Sequence, residues 1–370
     1  WYKLRRIVQS QRKYSIIEQF PEFIQVFLDL KRNATRHEVR VIVMFLKEYS
    51  KHHRFLVEKS KNFTNKRVLK SPLIQAIENG DQEFVRILMR RTDFDFQSPI
   101  KLDGQPFKNY FASAVHDQGM VQLFLNYALE KGINLNVPNA SGRTAFHYAC
   151  MFGTLEVVML FLENVKEEFL QVNLLDRNGY SPLHLACIGN QPETVQHLLD
   201  LSIQFDIDII AINRKGWTLL HLAARYGHAK VAKVVLEASL QHDINVNAFD
   251  FQNKTPFTTA CIYGHLEVAK LMILESRTYG IDLNLLDFQG HSAFHYAVYY
   301  GHRDMDQQCE IVRLMIDESK DKDISLNQEY DSFRRDLLNI NAWVNSVGGL
   351  VYGRRPDLWN PLVTSYFITR

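Results

Sequence analysis

The 370 residues carry 43 Lys/Arg against 41 Asp/Glu, a net charge of +2, and 46% of them are apolar. That balance excludes a disordered polyelectrolyte and fits a folded globular protein long enough for two domains or one elongated array. The longest apolar runs, such as Val41–Leu46, fall far short of the roughly 18 residues a membrane-spanning helix needs. The opening Trp1-Tyr-Lys-Leu-Arg-Arg is not a signal peptide and lacks an initiator Met, so the natural chain is expected to start earlier. Four cysteines in this length match intracellular usage, which makes the expected location cytoplasmic, with the nucleus as the alternative.

Residues 1–67 form a basic head with 16 Lys/Arg and 6 Asp/Glu, whereas the remainder is net acidic. Apolar residues, including Ile16, Ile17, Phe20 and Phe23, recur at helical spacing over Ser15–Leu30, and others do so over His37–Val57. Pro21 marks a helix start or break. The segment reads as basic helices that can cap the first unit of the array beyond residue 67. Its charge leaves three uses open: a solvated face, an anionic contact (an acidic partner, a membrane surface or nucleic acid), or attraction to the acidic remainder. Nucleic acid is the least supported of these, since only the head argues for it.

From residue 68 onward the chain repeats itself. A first degenerate unit begins at Ser71-Pro-Leu-Ile-Gln-Ala and a second covers 105–141. Five clear units then succeed one another at a constant 37-residue spacing: Gly142-Arg-Thr-Ala-Phe-His-Tyr-Ala-Cys, Gly179-Tyr-Ser-Pro-Leu-His-Leu-Ala-Cys, Gly216-Trp-Thr-Leu-Leu-His-Leu-Ala-Ala, Asn253-Lys-Thr-Pro-Phe-Thr-Thr-Ala-Cys and Gly290-His-Ser-Ala-Phe-His-Tyr-Ala-Val. Each column has a physical reading. Thr144, Ser181, Thr218, Thr255 and Ser292 can cap a helix start. Pro182 and Pro256 sit at the first helical position, where a missing N–H is harmless. The alanines at 149, 186, 223, 260 and 297 permit close packing. Asn139, Asp176, Asn213, Asp250 and Asp287 precede each unit as turn formers. The last unit contains six extra residues, Arg303–Gln308, and the array ends near Asn327, giving about seven repeats over 68–327.

These columns, above all Gly179-Tyr-Ser-Pro-Leu-His-Leu-Ala and Gly264-His-Leu-Glu-Val-Ala-Lys-Leu, resemble the ankyrin repeat. The resemblance implies an all-α, ankyrin-type helical repeat solenoid: a short hairpin-like turn, then two antiparallel helices, stacked sideways, with helical segments flanking the array. The period departs from the family's roughly 33 residues by about one helical turn. The extra residues fall between the apolar pair of the second helix and the following Val-Asn or Leu-Asn, so the second helix is expected to be about one turn longer. Residues 328–370 read as a degenerate repeat or a C-terminal cap.

The columns also contain reactive side chains. His147, His184, His221 and His295 are spaced one repeat apart, roughly 10 Å, which is too far for ligands of one metal ion. The resemblance implies that they bond to nearby backbone and hydroxyl groups. Cys150, Cys187 and Cys261 share a column with Ala224 and read as small buried side chains; Cys309 lies beside the insertion. No phosphate loop, nucleophile elbow or His-Glu-x-x-His site is present. The expectation is therefore no cofactor, no metal and no catalysis.

The resemblance places binding on hairpin tips and the concave helix face. The residues there that the repeat columns leave unexplained are Phe152, Arg177, Tyr180, Arg214, Trp217, Arg225, Tyr226, Phe251, Tyr263, Phe288, Tyr299 and Tyr300. Aromatic and arginine side chains are the types enriched at binding hot spots. The expected function is a scaffold or adaptor for a protein partner. The alternatives are the recruiting region of a larger enzyme or effector, and the cytosolic region of a membrane protein.

Overall fold

The computed structural model describes residue 35 and residues 76–91, 110–165, 170–299, 305–319, 321–322 and 324. The expectations for the basic head and for the tail after 327 lie outside these residues. The chain divides into two compact units, residues 1–245 and 246–370. All regular structure among the described residues is helical.

In the first unit, α1 (Gln82–Arg91) precedes four helix pairs: α2 (Tyr110–Ala114) with α3 (Gln118–Lys131), α4 (Ala145–Phe152) with α5 (Leu155–Asn164), α6 (Pro182–Ile188) with α7 (Pro192–Asp200), and α8 (Leu219–Tyr226) with α9 (Ala229–Ala238). First helices stack on first helices, as α2, α4, α6 and α8 do in turn, and second helices stack on second helices. Ala149, Ala186 and Ala223 are fully buried between them. The space is filled by Phe124, Phe146 and Phe161 in the earlier units, and by Leu198, Leu220 and Val235 at the equivalent positions later. Phe146 and Phe161 meet at 5.7 Å between ring centroids, and Phe111 contacts both Phe124 and Phe161. At Gly189 the chain passes so close to the preceding repeat that an added Cβ would lie 2.0 Å from the Met151 carbonyl oxygen.

In the second unit, α10 (Pro256–Tyr263) and α11 (Leu266–Leu274) are followed by a short α12 (Ser276–Tyr279), then by α13 (Ala293–Tyr299) and α14 (Met305–Asp317). Again α10 packs on α13 and α11 on α14. Met305–Gln308, four of the six inserted residues, form an extra first turn of α14.

Among the described residues, the expectation of a longer second helix holds as one continuous helix only in α3, which runs 14 residues and ends at the left-handed Gly132. After α7, α9, α11 and α14 the added residues form a separate helical turn set off by a kink. Ser202, Ser239, Ser276 and Ser319 recur where that turn begins. Ser239 Oγ and Ser319 Oγ each donate back to the carbonyl three residues earlier, at 2.6 and 2.7 Å, a bond that bends helices. The turn then closes as a Schellman motif. The amides of Ile133, Ile207, Ile281 and Ile324 donate to the carbonyls of Ala128, Ser202, Ser276 and Ser319.

Candidate functional site

Each repeat presents a hairpin tip whose shape is set by one carboxylate or amide oxygen. Asp176 Oδ1 accepts from the amides of Asn178 at 2.8 Å and Tyr180 at 3.0 Å. Asn139, Asn213, Asp250 and Asp287 hold the amides two and four residues on in the same way. The main chain closes the tip from Asp176 N to Tyr180 O and from Gly179 N to Asp176 O, with Gly179 left-handed. Within the first unit, successive tips are also joined: the Arg177 amide donates to Ser141 O and the Arg214 amide to Asn178 O. Arg143 Nε reaches the buried Asp176 carboxylate at 3.0 Å. These tips are therefore held by hydrogen bonds on both sides and carry little loop freedom.

The histidine column locks each tip to its helix. Thr144 Oγ1 accepts from the His147 amide while His147 Nδ1 accepts from the Thr144 amide at 3.1 Å, completing a capping box. Because Nδ1 accepts, the proton sits on Nε2, which donates to the Tyr180 carbonyl of the next repeat at 3.2 Å. Ser181/His184, Thr218/His221 and Ser292/His295 repeat the reciprocal bonds. Thr258 replaces the histidine after Thr255; its amide still donates to Thr255 Oγ1 and its hydroxyl meets the Thr255 hydroxyl, without the reciprocal bond of a capping box. Burial lowers the His147 and His184 pKa values to about 4. The column thus has a structural role, as do Cys150, Cys187 and Cys261, whose thiols are fully buried and pushed strongly upward by desolvation.

The candidate binding residues divide by exposure. In the first unit, Arg177 and Arg214 project from the tips and are exposed. Phe152 and Tyr226, at the ends of α4 and α8, are 43% and 44% exposed. Phe152 stacks on Tyr148, and Tyr226 on His228 with 6.0 Å between ring centroids. Between them in this column stands Gly189, which interrupts the aromatic series. Tyr180 is half-buried against His184. Trp217 departs from expectation. Its indole is only 9% exposed, lying beneath Lys215 Nζ, 4.6 Å from the ring centroid, and near the half-buried Arg225. It acts as a platform for the two cations more than as a projecting aromatic.

In the second unit, Phe251 and Phe288 project from equivalent tip positions, 63% and 74% exposed. Tyr263 is half-buried and stacks on His265. The Tyr-Gly-His spacing at 226–228 and 263–265 explains both stacks, because the left-handed Gly227 and Gly264 turn the chain back on itself. The side chain of Tyr299 and all of Tyr300 lie outside the described residues.

Sequence reasoning missed a second group of exposed apolar side chains. Leu175, Ile212 and Phe249 share the position just before the tip residue and are 53%, 48% and 44% exposed. Ile203 and Leu240 share a position on the added turn and are 90% and 64% exposed. The 37-residue register would have exposed both columns, had it been applied outside the consensus positions. Among the described residues no cluster of His, Cys, Asp or Glu is arranged to hold a metal ion, and no helix is long and apolar enough to cross a membrane.

A family model described as ankyrin repeats (3 copies) matches residues 110–210, 169–250, 205–287 and 240–328. Among solved structures, the chain is similar to the crystal structure of the ankyrin repeat domain of Bcl-3, described as a unique member of the IkappaB protein family. That match has 19% identity, covers 68% of this chain and 100% of the other, and has a TM-score of 0.49. No curated protein matches the sequence.

Proposed function

The chain belongs to the ankyrin repeat family, and from that premise we propose that it is a non-catalytic scaffold or adaptor, with about seven repeats over 68–327 that grip a protein partner. Repeats of this family are, in general, protein–protein interaction modules. The observation that carries the proposal is the display of large exposed side chains on tips already fixed by hydrogen bonds. Phe251 and Phe288 leave most of their surface exposed, and Arg177 and Arg214 extend from backbone amides anchored to the neighbouring tip. A tip whose backbone is already fixed loses little further backbone entropy on binding, which favours the aromatic and arginine side chains it carries as anchors. Phe152 and Tyr226 extend the surface along the first helices, with Tyr180 and Tyr263 as half-buried support. A role for Trp217 and Arg225 is indirect, through the cations that the indole carries.

The test is capture of partners from the native cell by the full chain and by a Tyr226→Ser/Phe251→Ser/Phe288→Ser variant. All three side chains are exposed, so the variant should keep its melting temperature. A specific partner whose retention falls at least about tenfold, the loss of one good anchor, supports the reading. Equal retention of every partner by a folded variant contradicts it.

A further inference from the structure

The added turn that lengthens each repeat carries a surface distinct from the tips. After α7 the chain makes one more hydrogen-bonded turn, from Leu201 N to His197 O, through Phe205 N to Leu201 O, to Ile207 N to Ser202 O. After α9 the amides of Ser239, Gln241 and His242 do the equivalent. The inner side of the first turn is satisfied by buried Ser202 and Ile207. Its outer side leaves Ile203 90% exposed, and Leu240 at the equivalent place is 64% exposed. Since α7 and α9 pack on each other, these two side chains sit about 10 Å apart. Around them, residues 200–208 and 237–245 contain five carboxylates (Asp200, Asp206, Asp208, Glu237 and Asp243) and no Lys or Arg. All five are exposed. Among the described residues, Glu237 alone has a cation within reach, Lys233 at 3.7 Å in an exposed pair that contributes little.

An apolar pair ringed by carboxylates calls for an apolar segment bearing cations. The chain supplies one. Residues 37–67 contain eight Lys/Arg and three Glu, around the apolar run Val41–Leu46. Arg40, Lys47, Lys51 and Arg54 are separated by seven, four and three positions, the spacing of one helical face. We propose that this basic segment docks within the same chain on the acidic surface around Ile203 and Leu240. The reach is sufficient. The surface lies three repeats from the start of the array, about 30 Å at roughly 10 Å per repeat, whereas 31 residues span about 46 Å even when helical.

The experiment is zero-length carbodiimide cross-linking of the full chain, with the linked peptides mapped. The monomer should link Lys47, Lys51, Lys59, Lys61 or Lys66 to Asp200, Asp206, Asp208, Glu237 or Asp243. An Ile203→Ser/Leu240→Ser variant, folded by circular dichroism and melting, should lose these links about tenfold, as expected when an apolar anchor of this size is removed. Salt at about 1 M, where the Debye length is about 3 Å, should weaken them too. Lysine links confined to residues 76–91 would overturn the proposal in favour of a cap on the first repeat. Links unaffected by the variant would also overturn it. Links found only between chains, rising with concentration, would overturn it by assigning the surface to a second copy. The outcome does not depend on any partner at the tips, so failure of either proposal leaves the other standing.

Discussion

Burial of the capping histidines His147 and His184 lowers their pKa values and should make the fold sensitive to mild acid, and His184 is the sharpest place to measure this. Its Nδ1 accepts from the Ser181 amide at 3.2 Å, so a proton there displaces a bond that the helix start needs. Its Nε2 makes no hydrogen bond, although the Trp217 and Ala211 carbonyls lie near enough to offset part of the desolvation. Burial lowers its pKa from 6.5 to about 4. Above pH 6.5 the ring is neutral both folded and unfolded, and the stability is intact. As pH falls below 6.5 the unfolded chain takes up the proton first, so stability is lost progressively until about pH 4. Between pH 8 and pH 5 this linkage costs about 2 kcal/mol for one such histidine. His184→Gln is the informative variant. Glutamine at the third helical position can still accept from the cap amide but does not titrate. Urea denaturation at pH 8 and pH 5 should show the variant losing about 2 kcal/mol less than wild type. Identical pH dependence in the two proteins would refute the assignment of the column as a neutral, buried cap.

The repeat geometry sets three further outcomes. Asn173 spans to the next repeat through Asn173 Nδ2 to Asp206 O and from Asp208 N to Asn173 Oδ1. Asn173→Ala should therefore cost about 1–2 kcal/mol and speed hydrogen exchange at the Asp208 amide; unchanged exchange there would count against the clamp. Gly189→Ala would place a Cβ against the Met151 carbonyl, so its melting temperature should drop by several degrees, from a strain of about 1–3 kcal/mol; a neutral result would mean the backbone approach is looser than described. Cys150, Cys187 and Cys261 are fully buried with raised pKa values, so a thiol reagent should label them only after denaturation. Rapid labelling of the native protein would contradict their burial.

The sequence carried the fold because each column answers a local need: a hydroxyl to cap, an alanine to admit a neighbour, an Asp or Asn oxygen to gather two amides. The exposure of Phe251 and Phe288 on the tips was legible for the same reason, since they are large side chains at positions where the repeat demands nothing. The burial of Trp217 was not legible, because its position on the tip says nothing about Lys215 and Arg225 closing over it. The kink of the second helix was also hidden. A small residue at Ser202 or Ser239 looks like a helical position, and only the bond back to Leu236 O or the close at Ile207 shows that the turn is separate. The same 37-residue register that exposed the histidine column would have shown Ile203 and Leu240 as a pair, but their position lies in the added residues, where the family pattern offers no guide.

The fixed tips and the ends of the first helices are the proposed gripping surface. Hydrogen exchange of the full chain, with and without a captured native partner, tests it most directly. Protection on binding should concentrate in residues 177–180, 214–217 and 226–228 of the first unit, and in 249–254 and 286–291 of the second. Protection confined to the second helices, with those segments exchanging as in the free protein, would contradict it.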